Sequence, residues 1–200
     1  MDQLLPFALF AFVASITPGP TNILVLSHSS RFGLATTLPI ILGACAAAAL
    51  LVLLVGTGLG GVLARHATVQ ALLTWAGIAW LSWMAWQIFR APAQAIDPQR
   101  PIEGPRLGLT GAAGLQLVNP KTWMMALAVV SVFAGSDAER TARVLWLSLV
   151  FFAISIPCLI AWACLGRGAA RFCRSAEAMK RFNQVMAVLL LGSAWLTLAV

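Results

Sequence analysis

Along the chain, six stretches of almost unbroken apolar residues alternate with polar links, covering roughly residues 3–28, 36–64, 69–89, 108–134, 142–166 and 182–199. A helix that spans a bilayer needs about 20 mostly apolar residues. The pattern therefore predicts an all-α integral membrane protein, a single transmembrane domain over residues 1–200 with six transmembrane helices. The longest non-apolar stretch, APAQAIDPQRPIEGPR at 91–106, is rich in proline and reads as an exposed link. It divides the chain into halves of three runs each, about 1–90 and 107–200. Three crossings is an odd number, so the halves traverse the membrane in opposite directions. That predicts two inverted three-helix repeats.

Two of the runs are interrupted. The first carries SITPGPTNIL at 15–24, and the fourth carries LVNPKTWMMA at 117–126. Proline inside a helix removes a ladder hydrogen bond and clashes with the preceding turn. Helices 1 and 4 are thus expected to be broken, and Pro20 and Pro120 lie 100 residues apart, half the chain length. A lone proline kink needs no function, because neighbouring helices re-satisfy the freed backbone groups. Paired breaks at matching positions of two halves point instead to a transporter site at the membrane midplane. The second half-helix offers its positive N-terminus to an anion, and the carbonyls ending the first can hold a cation. The residues predicted to bind substrate are Pro18, Gly19, Pro20, Thr21 and Asn22 at the first break, with Asn119, Pro120, Lys121 and Thr122 at the second. The polar side chains among them, with Thr17, can cap the half-helices, touch substrate, or do both.

Composition excludes a soluble domain: 60% of residues are hydrophobic, 10% are charged, and the mean hydropathy is +0.90. The first run follows Asp2, is too long for a signal-peptide core and contains prolines, so it reads as a retained span. The net charge of +7 would suggest nucleic acid in a soluble protein. Here the basic residues sit between apolar runs and report orientation, and no nucleic-acid partner is expected. Nine of them (Arg31, Arg90, Arg100, Arg106, Arg167, Arg171, Arg174, Lys180 and Arg181) fall on one side, against Arg65, Arg140 and Arg143 on the other. The positive-inside rule makes the nine-residue side cytoplasmic and places both termini in the periplasm.

Lys121 is the exception, a cation within an apolar run. An ammonium near the bilayer centre costs about 2.5–3.5 kcal/mol on insertion scales, and such residues are paired or functional. All six acidic residues (Asp2, Asp97, Glu103, Asp137, Glu139 and Glu177) fall in links or at ends of runs, which leaves a substrate carboxylate as a natural partner. The same lack of deep carboxylates disfavours a cationic substrate or a metal ion and favours a neutral zwitterion. Cys45, Cys158, Cys164 and Cys173 show no paired spacing and read as small apolar residues. His28, near the cytoplasmic end of run one, can titrate but reads first as an interfacial polar residue. Trp75, Trp80, Trp83 and Trp86 read as interfacial anchors. Gly56 and Gly60 form a GxxxG that favours close helix contact, and Pro157 predicts a kink. HExxH, GxSxG and Walker patterns are absent from the sequence, which argues against an enzyme and against any cofactor.

TPGPTNILVLSHSSRFG at 17–33, followed by Gly43, resembles the first-helix signature of the LysE/RhtB family of amino-acid exporters, and LVNPKTWMMA at 117–126 resembles its second signature. LTWAGIAWLSWMAWQI at 73–88 looks like the third segment of the cysteine/O-acetylserine branch. The resemblance covers essentially the whole chain. It implies proton-driven efflux of amino acids or close derivatives across a bacterial inner membrane. Pro18, Gly19 and Pro20 match the first motif and Asn119, Pro120 and Lys121 the second. Thr21 departs from the Asn or Asp that often follows Pro-Gly-Pro in that family. The expected partners are a small amino-acid substrate and membrane lipid, with homodimerisation left open. Two other readings remain: an exporter of a metal or inorganic ion on a related scaffold, and a membrane scaffold that transports nothing.

Overall fold

A computed structural model describes residues 4–59, 66–90, 107–135, 139–172 and 175–195. The predicted link at 91–106 lies outside the described residues, as do Arg65, Cys173, Arg174 and Gly60. Among the described residues there are eight α-helices and no strand. The first half contributes α1 (Leu4–Ile16), α2 (Pro20–Phe32), α3 (Leu34–Leu54), extended by a π turn at Val55–Leu59, and α4 (Ala67–Phe89). The second contributes α5 (Leu109–Val118), α6 (Pro120–Phe133), α7 (Arg140–Phe172) and α8 (Ala176–Trp195).

Both predicted breaks are present. Pro20 and Pro120 each open a helix, where the missing N–H has no partner to lose and the fixed φ suits the first turn. α1 and α2 meet at a bend of 54°, whereas α5 and α6 are parted by Asn119 alone. Elsewhere the helices depart from the apolar runs. The second run passes at Val55 from α-helix into the π turn, where Gly58 takes φ +135°. Such a conformation favours glycine. The last helix starts at Ala176, six residues before its apolar run. Ser175 Oγ accepts the Ala178 N–H at 3.1 Å as a cap, and Glu177 pairs with Arg181 one turn on at 3.2 Å. Hydropathy sees only the part suited to hydrocarbon, while capping and propensity extend the helix beyond it.

Three apolar clusters hold the helices together. Phe7, Leu51, Val129 and Phe151 join α1, α3, α6 and α7. Val25, Ile41, Ala112 and Ala163 join α2, α3, α5 and α7. Ile23, Leu81, Leu115 and Leu190 join α2, α4, α5 and α8. Two crossings bring backbones together. A Cβ at Gly43 would overlap the Leu109 carbonyl, and a Cβ at Gly166 would overlap the Leu26 carbonyl. α3 thus lies directly on the start of α5, and α7 directly on α2, the small-residue contact typical of membrane helices. Gly56 meets Val144 of α7, a close contact at the first glycine of the predicted GxxxG.

The outer surface is more apolar than that of a soluble domain, and polar groups lie among the apolar ones inside. Leu5, Phe12, Leu72, Trp146 and Val188 are exposed, while Asn22, Thr37, Gln116, Asn119, Thr122 and Asn183 are buried. A protein whose surroundings are hydrocarbon has no reason to hide apolar groups and strong reason to pair polar ones inside. By length and composition, Leu34–Gly58 and Arg140–Ala169 can each cross a membrane, and the α1–α2 pair passes the same test if its bent halves are counted as one span.

Candidate functional site

The last carbonyls of α1 have no partner within a continuing helix, and side chains from three places satisfy them. Asn22 Nδ2 donates to Ser15 O at 2.8 Å, Trp162 Nε1 to Ile16 O at 3.0 Å and Lys121 Nζ to Thr17 O at 2.8 Å. The Lys121 side chain reaches that carbonyl by passing over Gly19. A Cβ on Gly19 would lie 2.8 Å from Lys121 Nζ and 2.9 Å from Cδ, so only glycine leaves the route clear. The φ of Gly19, −168°, is ordinary extended backbone, and the requirement is one of space. No side chain caps the start of α2.

The second break closes on itself. Asn119 Oδ1 accepts the Lys121 N–H at 3.1 Å as a helix cap. Its Nδ2 donates to Thr21 Oγ1 at 3.2 Å, tying the two breaks together. Gln116 strengthens the tie: its Nε2 donates to the same Thr21 oxygen at 2.9 Å, and its Oε1 accepts from Thr122 Oγ1 at 2.7 Å. Sequence reasoning passed over Gln116. The available signal was an uncharged amide standing three residues before Asn119 in an otherwise apolar run.

Five of the predicted residues, Thr21, Asn22, Asn119, Lys121 and Thr122, line one cavity of about 40 Å³, with Gln116 beside them. Pro18, Gly19, Pro20 and Pro120 shape the breaks without lining it, and Pro18 is exposed. α1 adds Ala14 and Ser15, and α3 adds Ala44, Cys45 and Ala48. Met125 of α6 and Phe151, Ser155 and Leu159 of α7 complete the wall. At about 10–15 Å³ apiece, this space takes roughly two to four waters and no amino acid. The partner of the Lys121 ammonium is a carbonyl and not a carboxylate. Among the described residues no three His, Cys, Asp or Glu side chains gather to hold a metal ion.

His28 is buried at the corner where Gly33 joins α2 to α3, with Nδ1 3.0 Å from Thr37 Oγ1. It does not line the cavity. Trp75, Trp83 and Trp86 are exposed, and Arg90 lies over the Trp86 ring at 4.2 Å, as anchors at an aqueous boundary would be placed. The side chain of Trp80 lies outside the described residues. Cys45, Cys158 and Cys164 are free thiols.

Comparison with known proteins gives a match to the LysE type translocator family over residues 12–199. A Vibrio cholerae protein named only as an uncharacterized membrane protein is 27% identical over 194 residues, covering 96% of this chain and 94% of its own. The cysteine/O-acetylserine efflux protein of Salmonella typhimurium is 29% identical over 189 residues, 94% of this chain and 93% of its own. That of Klebsiella pneumoniae is 27% identical over 161 residues, 80% of each chain. No solved structure gives a significant match.

Proposed function

Because this chain belongs to the LysE type translocator family, a family of transporters and not of enzymes, we propose that it is a secondary-active exporter of neutral amino acids or close derivatives across a bacterial inner membrane, coupled to protons and working by alternating access. One observation carries the reading: the Lys121 ammonium and the Thr17 carbonyl hold each other across the two helix breaks, and Lys121 lines the cavity that both breaks share. An amino-acid zwitterion offers the complementary pair. Its carboxylate takes Lys121, and its ammonium takes the Thr17 carbonyl that Lys121 releases. Lys121 exchanges a neutral acceptor for a charged one and the Thr17 carbonyl exchanges one ammonium for another, so binding leaves no buried charge stranded. The first N–H groups of α2, which no side chain caps, add positive dipole beside the carboxylate.

In this reading Asn22 and Asn119, first expected to hold the ammonium, act mainly by fixing the breaks. The Asn22 amide N–H is engaged on Ser15 O, and both ends of Asn119 are engaged within the protein. A cavity of about 40 Å³ is too small for the substrate, so loading requires the walls to part. Six spans in two inverted repeats supply the two bodies that move. In support, Pro20 and Pro120 both open their half-helices, and Asn22 and Thr122, again 100 apart, both bond back across their own breaks. The excess of basic residues on one side supports periplasmic termini. The named efflux activity of the relatives supports a cysteine-like substrate. The ion-exporter alternative finds no cluster of metal-binding side chains among the described residues.

The test is efflux from proteoliposomes preloaded with labelled cysteine, O-acetylserine, threonine, leucine or lysine, with and without an imposed pH gradient. Neutral substrates are expected to leave in a gradient-dependent manner that is lost in Lys121→Ala. If lysine moved best, the charge argument would be wrong. Undiminished flux through Lys121→Ala would remove the carboxylate role.

A further inference from the structure

Ser15 stands one turn before the end of the first break and differs from the other hydroxyls on these helices. Thr17, Thr57 and Ser148 each donate to the carbonyl four residues back, the usual recourse of a hydroxyl in an apolar helix. The Ser15 hydroxyl does not. It is 8% exposed, lines the cavity, and its Oγ has no hydrogen-bond partner. A buried hydroxyl left unpaired costs about 1–3 kcal/mol. The residue is also held in place, since its own carbonyl accepts from Asn22.

The groups that α3 brings to the cavity, Ala44, Cys45 and Ala48, are small and neutral. The Cys45 thiol, 1% exposed, lies beside the Ser155 hydroxyl, which gives its proton to Phe152 O at 3.0 Å and keeps its lone pairs. Ala44 and Ala48 leave space along α3, and Leu159 closes the wall from α7. Lys121 is the one formally charged residue on the lining. With the substrate's two charged groups taken up by Lys121 and the Thr17 carbonyl, this remaining wall faces its side chain.

We propose that Ser15, with Cys45 and Ser155, forms the side-chain subsite, matched to a short uncharged side chain bearing a heteroatom one bond beyond Cβ, a thiol, hydroxyl or ester oxygen, to which the Ser15 hydroxyl bonds. This rests on the reading of the cavity as the substrate site. Ser15 is then the specificity-determining residue, separate from the groups that hold the shared amino-acid backbone.

The experiment measures transport of cysteine, O-acetylserine and 2-aminobutyrate, which has similar size but no heteroatom, in proteoliposomes of the full chain. Ser15→Ala is expected to lower the efficiency of cysteine and O-acetylserine relative to 2-aminobutyrate by about tenfold, the worth of one buried hydrogen bond. Ser155→Ala shifts the same ratio in the same direction by about two- to fourfold. Should Ser15→Ala fail to insert, Ser15→Cys, a weaker donor of similar size, carries the test and is expected to give an intermediate ratio. A uniform fall for all three substrates, or an unchanged ratio, overturns the subsite. Lys121→Ala is assayed in parallel. If it loses all three fluxes while Ser15→Ala leaves the ratio alone, only the subsite falls. Were Lys121→Ala to transport normally, the underlying site would fall with it.

Discussion

The two helix breaks share a proline at the first helical position and otherwise solve different problems. The first is three residues wide, bends by 54°, and leaves three carbonyls that side chains from elsewhere must satisfy. The second is one residue wide and largely serves itself, through the Asn119 cap and the Thr122–Gln116 bond. The open break provides backbone acceptors and uncapped N–H groups, and the closed break provides a fixed cation. A site for a zwitterion, as proposed above, would use both, and would account for two breaks that are unlike. The largest expected effect follows from removing that cation. Lys121→Ala should lower transport by about 100-fold, the loss of one charge-assisted bond at up to ~3 kcal/mol. Inserted yield should be little changed, because the substitution also removes the cost of holding an ammonium within an apolar run. Efflux assays beside a monodispersity check measure both.

Each break is also pinned from outside by a glycine on the long helix of the opposite half. Gly166 of α7 lets the Leu26 backbone approach, and Gly43 of α3 does the same for Leu109. The pins fall on opposite sides of the two breaks, after the first and before the second. Gly166→Ala pushes against backbone and not against a movable side chain, so a loss of about 2–3 kcal/mol in stability is expected, of the size of overpacking elsewhere. Thermal unfolding in detergent should show it, with Gly43→Ala behaving alike. If Gly166→Ala were much the milder, α2 would be free to move against α7 and the first break would be the softer of the two.

What could be read without coordinates was the chemistry that backbone physics makes loud. Pro20 and Pro120 cannot continue a helix, and Lys121 cannot sit in hydrocarbon without a partner, so the breaks and the cation were legible. The contacts between them were not. That Lys121 turns back to Thr17, that Gly19 is small to let it pass, and that Gln116 ties Thr21 to Thr122 all depend on how two distant segments cross. Ser15 stayed silent for another reason: a serine in an apolar helix is unremarkable until its usual acceptor is seen unused. Helix ends were misjudged where polarity and helicity part company, as at Ala176, whose first turns are polar and still helical.

Gly19→Ala separates fold from function at the open break. The new methyl meets the far end of a flexible lysine and the backbone there is extended, so stability should change by less than about 1 kcal/mol. The ammonium, however, must leave its line to Thr17 O. Transport is expected to fall about tenfold, short of the roughly 100-fold that an ångström's misplacement of a reacting group can cost. Unaltered transport would mean that the position of Lys121 over Gly19 is incidental.

The closed break yields the smallest effect and the sharpest contrast. Asn119→Ala removes the cap from α6 and the donor to Thr21. Lost caps cost about 1 kcal/mol, and Gln116 still holds Thr21, so flux should drop only about twofold. Asn119→Asp should keep the cap, since aspartate caps as well as asparagine, and should therefore keep the stability. It also sets a carboxylate two residues from Lys121, where it competes with substrate for the ammonium. Stability retained with weakened apparent affinity is the expected pair of results, from melting curves and concentration-dependent efflux. If Asp and Ala instead behaved alike, Asn119 would matter for its bond to Thr21, and the second break would depend on the first as much as the first depends on Lys121.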